Sequence, residues 1–403
     1  MDTLNKKNFR SNLKAVLSFL LNLAGKFSMV IAIGIFILLA WLFPSVGKTD
    51  GAIQSQYTIS YLGVALIFFF SGLGIDHKLL YKHFKNYRLH ILLQIYCFLF
   101  TSAVIYGLVM AIVGSGTTKI DPSILIGLLA TGCLPTTIGS NVVMTREADG
   151  DVAATVIELL IGNLIGPFLT PILLLDMYLD NAGYLSQYKP SGSNDSLTSV
   201  YRHVMMHMGL CLYIPIAVGI AIRAFFTKQA TWVCTKLYLN RMNTLILALL
   251  IWTTFCNAFA DGAIYKLSTE SVLLMVFLAL GLITLFSILI FLVSYYPPKS
   301  KFIAKFWPGF DDRVIISLAF CGPAKTQGLG IPLVASMWAN ENPGFVSTIQ
   351  LPIVLYTTLQ IFVANFNVLI YRRWIKQRKL DAELKSAPLD ADQADSIDSN
   401  ANR

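Results

Sequence analysis

Leu129-Ala-Thr-Gly-Cys-Leu-Pro-Thr-Thr-Ile-Gly-Ser-Asn141 lies in an apolar stretch, yet it carries a proline, two glycines, hydroxyls and an amide where a membrane helix would run unbroken. A second stretch, Leu318-Ala-Phe-Cys-Gly-Pro-Ala-Lys-Thr-Gln-Gly-Leu-Gly-Ile-Pro332, repeats the pattern. Cys133-x-Pro135 matches Cys321-x-Pro323, and Thr136-Thr-Ile-Gly139 lies over Ala324-Lys-Thr-Gln-Gly328 with a one-residue slip. Both stretches read as helices broken at mid-depth. Lipid cannot satisfy the backbone groups a break frees, so they must line a cavity or pack against protein. Interrupted apolar segments at corresponding places in two halves of a chain point to a transporter's binding site. The plainer alternative, loops between ordinary spans, is weakened by the duplication.

Outward from these stretches the chain is a membrane protein throughout. Of its 403 residues 55% are hydrophobic and only 13% charged, where a soluble domain carries about a quarter. Charged residues gather between apolar runs. Windows of spanning length fall near 27–43, 57–75, 89–114, 151–177, 203–226, 244–260, 270–295 and 346–371, and the broken stretches near 121–147 and 312–340 bring the count to ten. No small-residue cleavage site follows the basic start Met1–Lys14, so the first apolar run reads as a retained span.

The basic residues test that count. With the N-terminus inside, one side receives Lys6, Lys7, Arg10, Lys14 and Lys26, then Lys78, Lys82, Lys85 and Arg88, then Arg146. Arg223, Lys228, Lys236 and Arg241 follow, then Lys299, Lys301, Lys305 and Arg313, and last Arg372 to Lys379. The other side holds only Lys48, Lys119, Lys189, Arg202 and Lys266. Such asymmetry is what the positive-inside rule requires, and it accounts for the net charge of +9 without nucleic acid as a partner. Both termini are thereby expected in the cytoplasm.

The expected domains are a cytoplasmic N-terminus 1–25, a first five-helix repeat 26–177, an outer loop 178–202, a second repeat 203–371 and a disordered cytoplasmic tail 372–403. Five is odd, so two such repeats face opposite ways, with the fourth and ninth spans broken. The outer loop holds Asn194-Asp-Ser196, a short glycan-acceptor pattern. The segment Tyr371–Arg378 is basic and amphipathic, suited to snorkelling or to anionic lipid.

Enzyme chemistry is excluded by composition and by the lack of a phosphate-binding loop, nucleophile elbow or HExxH; no cofactor is expected. The six cysteines form no disulfide framework. His203 and His207 stand four apart, but a third metal ligand is not evident, and no metal site is assigned. His77, His83 and His90 sit in or beside a basic inner loop and read as a solvated face.

Lys325 is the sharpest single residue. A charge in a broken membrane helix must be paired, hydrated or exposed to a cavity. Three readings stay open: a cation for an anionic substrate, a tethered charge where a sibling carrier would bind sodium, or a salt bridge locking the two breaks together. For the last, Glu158 on the fifth span is the pairing candidate. Pro135, Thr136, Thr137, Ser140 and Asn141 at the first break form the candidate substrate or ion cavity with Pro323, Thr326 and Gln327 at the second, completed by Asn163, with Gln360 a further candidate. Asn365 and Asn367 read as helix bridges.

Ten spans, an inverted repeat, and breaks at Pro135-Thr-Thr-Ile-Gly-Ser-Asn141 and Pro323-Ala-Lys-Thr-Gln-Gly-Leu-Gly-Ile-Pro332 resemble the bile acid:sodium symporter superfamily. The Ala-Lys-Thr segment and the Leu329-Gly-Ile-Pro332 ending are similar to the solute carrier family 10 member 7 branch and its fungal counterparts, over about Gly25 to Tyr371. The resemblance implies an all-α polytopic fold with crossed discontinuous helices 4 and 9. A panel of spans 1, 2, 6 and 7 would work against a core of spans 3–5 and 8–10.

It also implies a negative regulator of calcium influx and cytosolic calcium homeostasis at the plasma membrane, or in the Golgi or another secretory membrane, moving an unidentified solute or ion. The partners it implies are membrane lipids and a plasma-membrane calcium channel. Sodium-coupled members carry an acid where this chain has Lys325, which argues against ordinary sodium binding. The alternatives are a sodium- or proton-coupled organic anion symporter, and a non-transporting scaffold that restrains a channel.

Overall fold

The computed structural model describes residues 28–74, 83–117, 119–137, 139–190, 197–260, 262–296 and 309–386. The N-terminal segment 1–25, His77, the triplet Asn194-Asp-Ser196, the basic stretch Lys299–Lys305 and the tail after residue 386 lie outside the described residues.

The chain is helical. In order the main elements are α1 (Ser28–Leu42), α2 (Ser55–Gly74), α3 (Tyr87–Gly114), α4 (Pro122–Cys133), α5 (Gly139–Glu147) and α6 (Val152–Asn181). They continue with α7 (Val204–Phe225), α8 (Thr227–Lys236), α9 (Arg241–Ala260), α10 (Thr269–Tyr295), α11 (Asp312–Cys321), α12 (Gln327–Met337) and α13 (Pro343–Ser386). Among the described residues seven helices are long and apolar enough to cross a membrane: α2, α3, α6, α7, α9, α10 and α13. Ten windows were expected from hydropathy. The three not among the seven are α1, described only from residue 28, and the two windows that the chain divides into α4 plus α5 and α11 plus α12.

Local chemistry sets where helices begin. Asp121 accepts from the Ser123 amide ahead of Pro122, and Asp151 accepts from the amides of Ala153 and Ala154. Asp311 and Ser268 cap α11 and α10 in the same way. Each cap satisfies donors that a helix start leaves orphaned.

Burial is concentrated where the sequence is broken. Ser123–Cys133, Val314–Cys321 and nearly all of Gln327–Met337 are buried, so the short helices form the centre and the long ones surround them. Helix α4 packs on α3 and α13, α10 on α11 and α13, and α12 between α13 and the start of α7. On the other side α1 packs on α9 and α2 on α7. Exposed large apolar side chains such as Ile35, Trp41, Phe277 and Ile288 cover the periphery, as a chain solvated by lipid requires.

One boundary differs from expectation. The last helix runs on to Ser386, through the stretch expected to be a disordered tail from 372. Leu380-Asp-Ala-Glu-Leu-Lys385 is made largely of strong helix formers continuing a formed helix, which removes the nucleation cost. Arg378 is anchored to Asp312 (3.1 and 3.3 Å) and Lys379 to Asp149, so these side chains do not simply snorkel.

Candidate functional site

The two breaks meet. Leu134 leaves α4 with extended backbone, Pro135 follows, and the Thr326 amide donates to the Pro135 carbonyl at 3.0 Å. Every carbonyl from Gly132 to Thr136 has a partner. Gly132 and Leu134 accept from Lys325 Nζ (2.8 and 2.9 Å), Cys133 from Thr170 Oγ1 (2.8 Å), Pro135 from Thr326 and Thr136 from Asn163 Nδ2 (3.1 Å). At the second break Tyr356 donates its hydroxyl to the Pro323 carbonyl at 2.8 Å. Gln360 grips the Lys325 peptide from both sides, accepting from its N–H at 2.8 Å and donating to its carbonyl at 2.9 Å. Backbone groups that a span would pair internally are paired here by side chains of α6 and α13 and by the opposite break.

Lys325 is fully buried. Its ammonium also reaches the Cys97 carbonyl (2.7 Å) and Thr101 Oγ1 (2.8 Å) on α3. Cys97 lies in a wide turn, Tyr96–Phe100, of the kind that interrupts helices at functional positions. Four oxygens thus surround one ammonium, three of them carbonyls, an arrangement in which a bare cation would also be at home. The expected pairing of Lys325 with Glu158 does not occur. Glu158 is buried against different partners: its Oε1 faces His90 Nδ1, and its Oε2 accepts from Gln94 Nε2 at 2.9 Å. Carbonyls freed by the break, together with a threonine, solvate the lysine without an acid.

The other candidate residues divide between two places. Thr136, Asn141 and Asn163 are buried together, with Asn141 Nδ2 donating to Thr136 Oγ1 at 2.8 Å. Asn163 Oδ1 is buried and has no hydrogen-bond donor among the described residues. Gln327 is held by Thr357 Oγ1 at 2.6 Å. Ser140 and Asn141 line a cavity of about 20 Å³ with Pro323, Ala324, Gln360 and Asn367, room for about one water. Asn367 donates to Ser287 Oγ there (3.3 Å), and Asn365 to the Ile361 carbonyl. Pro135 is buried, Thr137 is half-buried, and Thr326 is buried behind the lysine.

Several participants were not singled out from sequence: Thr101, Gln94, Tyr356 and His90. The first three are ordinary polar residues in apolar spans. His83 and His90 were expected on a solvated face, but His83 Nε2 lies 3.0 Å from Asp151 Oδ2 and His90 faces Glu158. The signal that would have found them is spacing, since the two histidines and the two acids are each seven apart. His207 is likewise buried, with Nδ1 2.9 Å from Ser336 Oγ and its ring edge-on to Tyr61.

A profile of the SBF-like CPA transporter family matches residues 28–373, from the start of α1 to the part of α13 just past Tyr371, and includes every residue of the site. The chain belongs to that family. Its relatives agree: it is 36% identical over 365 residues to the solute carrier RCH1 of Candida albicans, covering 86% of this chain and 88% of that one. The RCH1 of Saccharomyces cerevisiae is 32% identical over 86% of this chain and 84% of its own. The sodium/bile acid cotransporter 7 of Mus musculus is 28% identical over 88% and 94%. Membership of the bile acid:sodium symporter superfamily, solute carrier family 10, follows, and SBF-like CPA proteins are transporters rather than enzymes.

Proposed function

We propose that this chain is a secondary-transporter-like protein of the plasma membrane, both termini cytoplasmic, that restrains calcium entry and so lowers cytosolic calcium. Its proposed architecture is ten spans in two inverted repeats, with the domain limits expected from sequence except at the tail, where the last helix continues to Ser386, and with α4–α5 and α11–α12 as the crossed fourth and ninth spans. Helices α1, α2, α7 and α9 form the panel against which the rest moves. The observation that carries the reading is the Lys325 ammonium held by four oxygens where the breaks meet. A fixed cation there occupies the dipoles a sodium ion would use and repels a divalent ion, so calcium is controlled indirectly. The calcium role itself is supported by resemblance to the member 7 branch. The solute would be met by Thr137, Ser140, Asn141 and the free Oδ1 of Asn163, beside Gln327.

A second reading has its own support. Because each carbonyl from Gly132 to Thr136 is already satisfied by protein, the centre of the fold is suited to a scaffold that binds and restrains a calcium channel without transporting. Radioactive calcium uptake in cells lacking the protein, rescued with the normal chain or Lys325→Ala at matched surface levels, separates the two. Low uptake restored by the normal chain alone supports a working site at the breaks. Equal rescue favours the scaffold. Uptake that changes neither on deletion nor on overexpression removes the calcium role.

A further inference from the structure

Two histidine–carboxylate pairs stand one above the other between α3 and α6. His83 meets Asp151 at the helix ends and His90 meets Glu158 deeper in, each pair 68 residues apart in sequence. Seven helical residues rise about 10 Å, so the second pair lies well inside the span. The acid is the more buried at the inner pair, 12% exposed at Asp151 and 2% at Glu158, while the histidine side chains are 9% exposed at His83 and 16% at His90.

The inner pair fixes its own proton count. His90 Nε2 lies 3.1 Å from the Phe84 carbonyl, which can only accept, so Nε2 carries a hydrogen. Nδ1 faces Glu158 Oε1, and one further proton lies between those atoms, whichever holds it. The pair is then neutral overall. A second proton would sit on Glu158, turning the carboxylate into an acid, so that the imidazolium faces a neutral group in place of a negative one. The contact between α3 and α6 is thereby weakened. Gln94 Nε2, on Oε2, holds the carboxylate in place until that happens.

We propose that His90 and Glu158 form a proton-binding site, supplied from the cytoplasmic end through His83 and Asp151, whose loading releases α3 from α6. The proton comes from bulk water, and the pair goes from neutral to a single positive charge. What makes this more than a buried ion pair is the face of α3 that carries it. His90, Gln94, Cys97 and Thr101 follow at helical spacing, and the last two are ligands of Lys325. On α6, Asn163 sits little more than a turn beyond Glu158 and holds the Thr136 carbonyl. Moving either helix disturbs both breaks, so the proton has a mechanical path to the centre.

The titratable groups facing the pair among the described residues are few. The thiols of Cys97 and Cys321 are neighbours of Glu158, with the Lys325 ammonium behind Cys97. At the outer rung stand His83, Asp151 and Arg88, the last against the Tyr87 ring. On α5 Arg146 and Glu147 are exposed, while Asp312 and Arg313 begin α11 beside the outer rung, where the Arg313 carbonyl accepts from the Asp151 amide at 3.0 Å and its guanidinium lies 3.7 Å from Asp149.

The inference rests on the carrier fold and not on the calcium role. The test is infrared difference spectroscopy of the full chain in phosphatidylcholine vesicles, stepped between about pH 5 and 8, the range in which histidine-linked sites titrate. The normal chain is expected to show a carboxylic-acid band growing as pH falls. That band disappears in Glu158→Gln and persists at a shifted frequency in Glu158→Asp, which keeps the acid if the glutamine variant fails to fold. In His83→Gln the amplitude is kept while the response to a pH jump slows. No titrating band in the normal chain, or an undiminished one in Glu158→Gln, overturns the site; an unchanged rate in His83→Gln overturns the route. Calcium uptake indifferent to the whole protein would remove the function proposed above and leave this result standing.

Discussion

Lys325 decides how the centre of this protein holds together. Replacing it with methionine keeps the stem but strands the carbonyls of Gly132 and Leu134, each a buried acceptor whose loss of a donor costs roughly 1–3 kcal/mol. The Cys97 carbonyl loses less, because Thr101 Oγ1 still donates to it. Lys325→Met is therefore expected to unfold several degrees earlier in detergent, read by thermal size-exclusion. Lys325→Arg should not rescue it, since a planar fork cannot meet four oxygens set around a point charge. Glu158 offers a sharper check. If lysine and acid were partners, losing both would hurt less than losing either. With the geometry found here the double variant Lys325→Met/Glu158→Gln is expected to be less stable than either single variant. A double variant more stable than either single would reinstate the pair. Sequence revealed that a lysine in a broken span needs company. It could not reveal that the company is backbone, because carbonyls freed by a break leave no mark in the residue letters. His90 was hidden differently: Lys82, Lys85 and Arg88 around it suggested water, while the acid it faces, Glu158, comes from a distant part of the chain.

Elements here approach each other through small residues more than through large ones, as in membranes where apolar burial against lipid gives no drive to associate. Helices α2 and α7 show it from both sides. A Cβ at Gly219 would lie 2.4 Å from the Phe69 carbonyl, and one at Gly72 would lie 2.5 Å from that of Ile216. Both obstacles are backbone, which cannot swing aside. Gly219→Ala should cost about 1–3 kcal/mol through overpacking. Gly107→Ala on α3, with nothing within 4 Å, is expected to be neutral or to stabilise by a few tenths to about 1 kcal/mol through helix propensity. Thermal midpoints of the two purified variants check the contrast; equal losses would mean that α2 and α7 are not held at this distance in the membrane. Hydropathy announced both helices, but periodicity does not say which glycine faces which neighbour.

Over the whole molecule, the spans were legible because a hydrocarbon slab demands long apolar windows and because proline and glycine punctuate the two that break. The end of the last helix was not legible, since its stability comes from partners distant in sequence. Arg378 takes Asp312 at the start of α11, while Lys379 and Arg313 share Asp149 ahead of α6. One helical extension thus ties the loops that lead into and out of the two broken segments. Asp149 is half exposed, so each pair is worth little alone, about 0–1 kcal/mol. Hydrogen bonding to Lys379 is the main cause holding the Asp149 carboxyl below its ordinary value, with Lys379 and Arg313 charges adding to it. A group depressed in the folded state stabilises above its unfolded pKa, about 3.9, and that contribution is lost as pH falls below it. A chain ending at Lys376 keeps Tyr371 and Trp374 in their aromatic cluster and loses the clasp, together with the Arg378 contact on the Tyr295 ring. It should melt below the full chain at pH 7 in low salt, by an amount that shrinks in high salt as the Debye length contracts. The gap should close again when both are acidified below about pH 4. A gap that ignores both salt and acid would mean that the extension works through packing alone, and that its charges do not tie the two loops together.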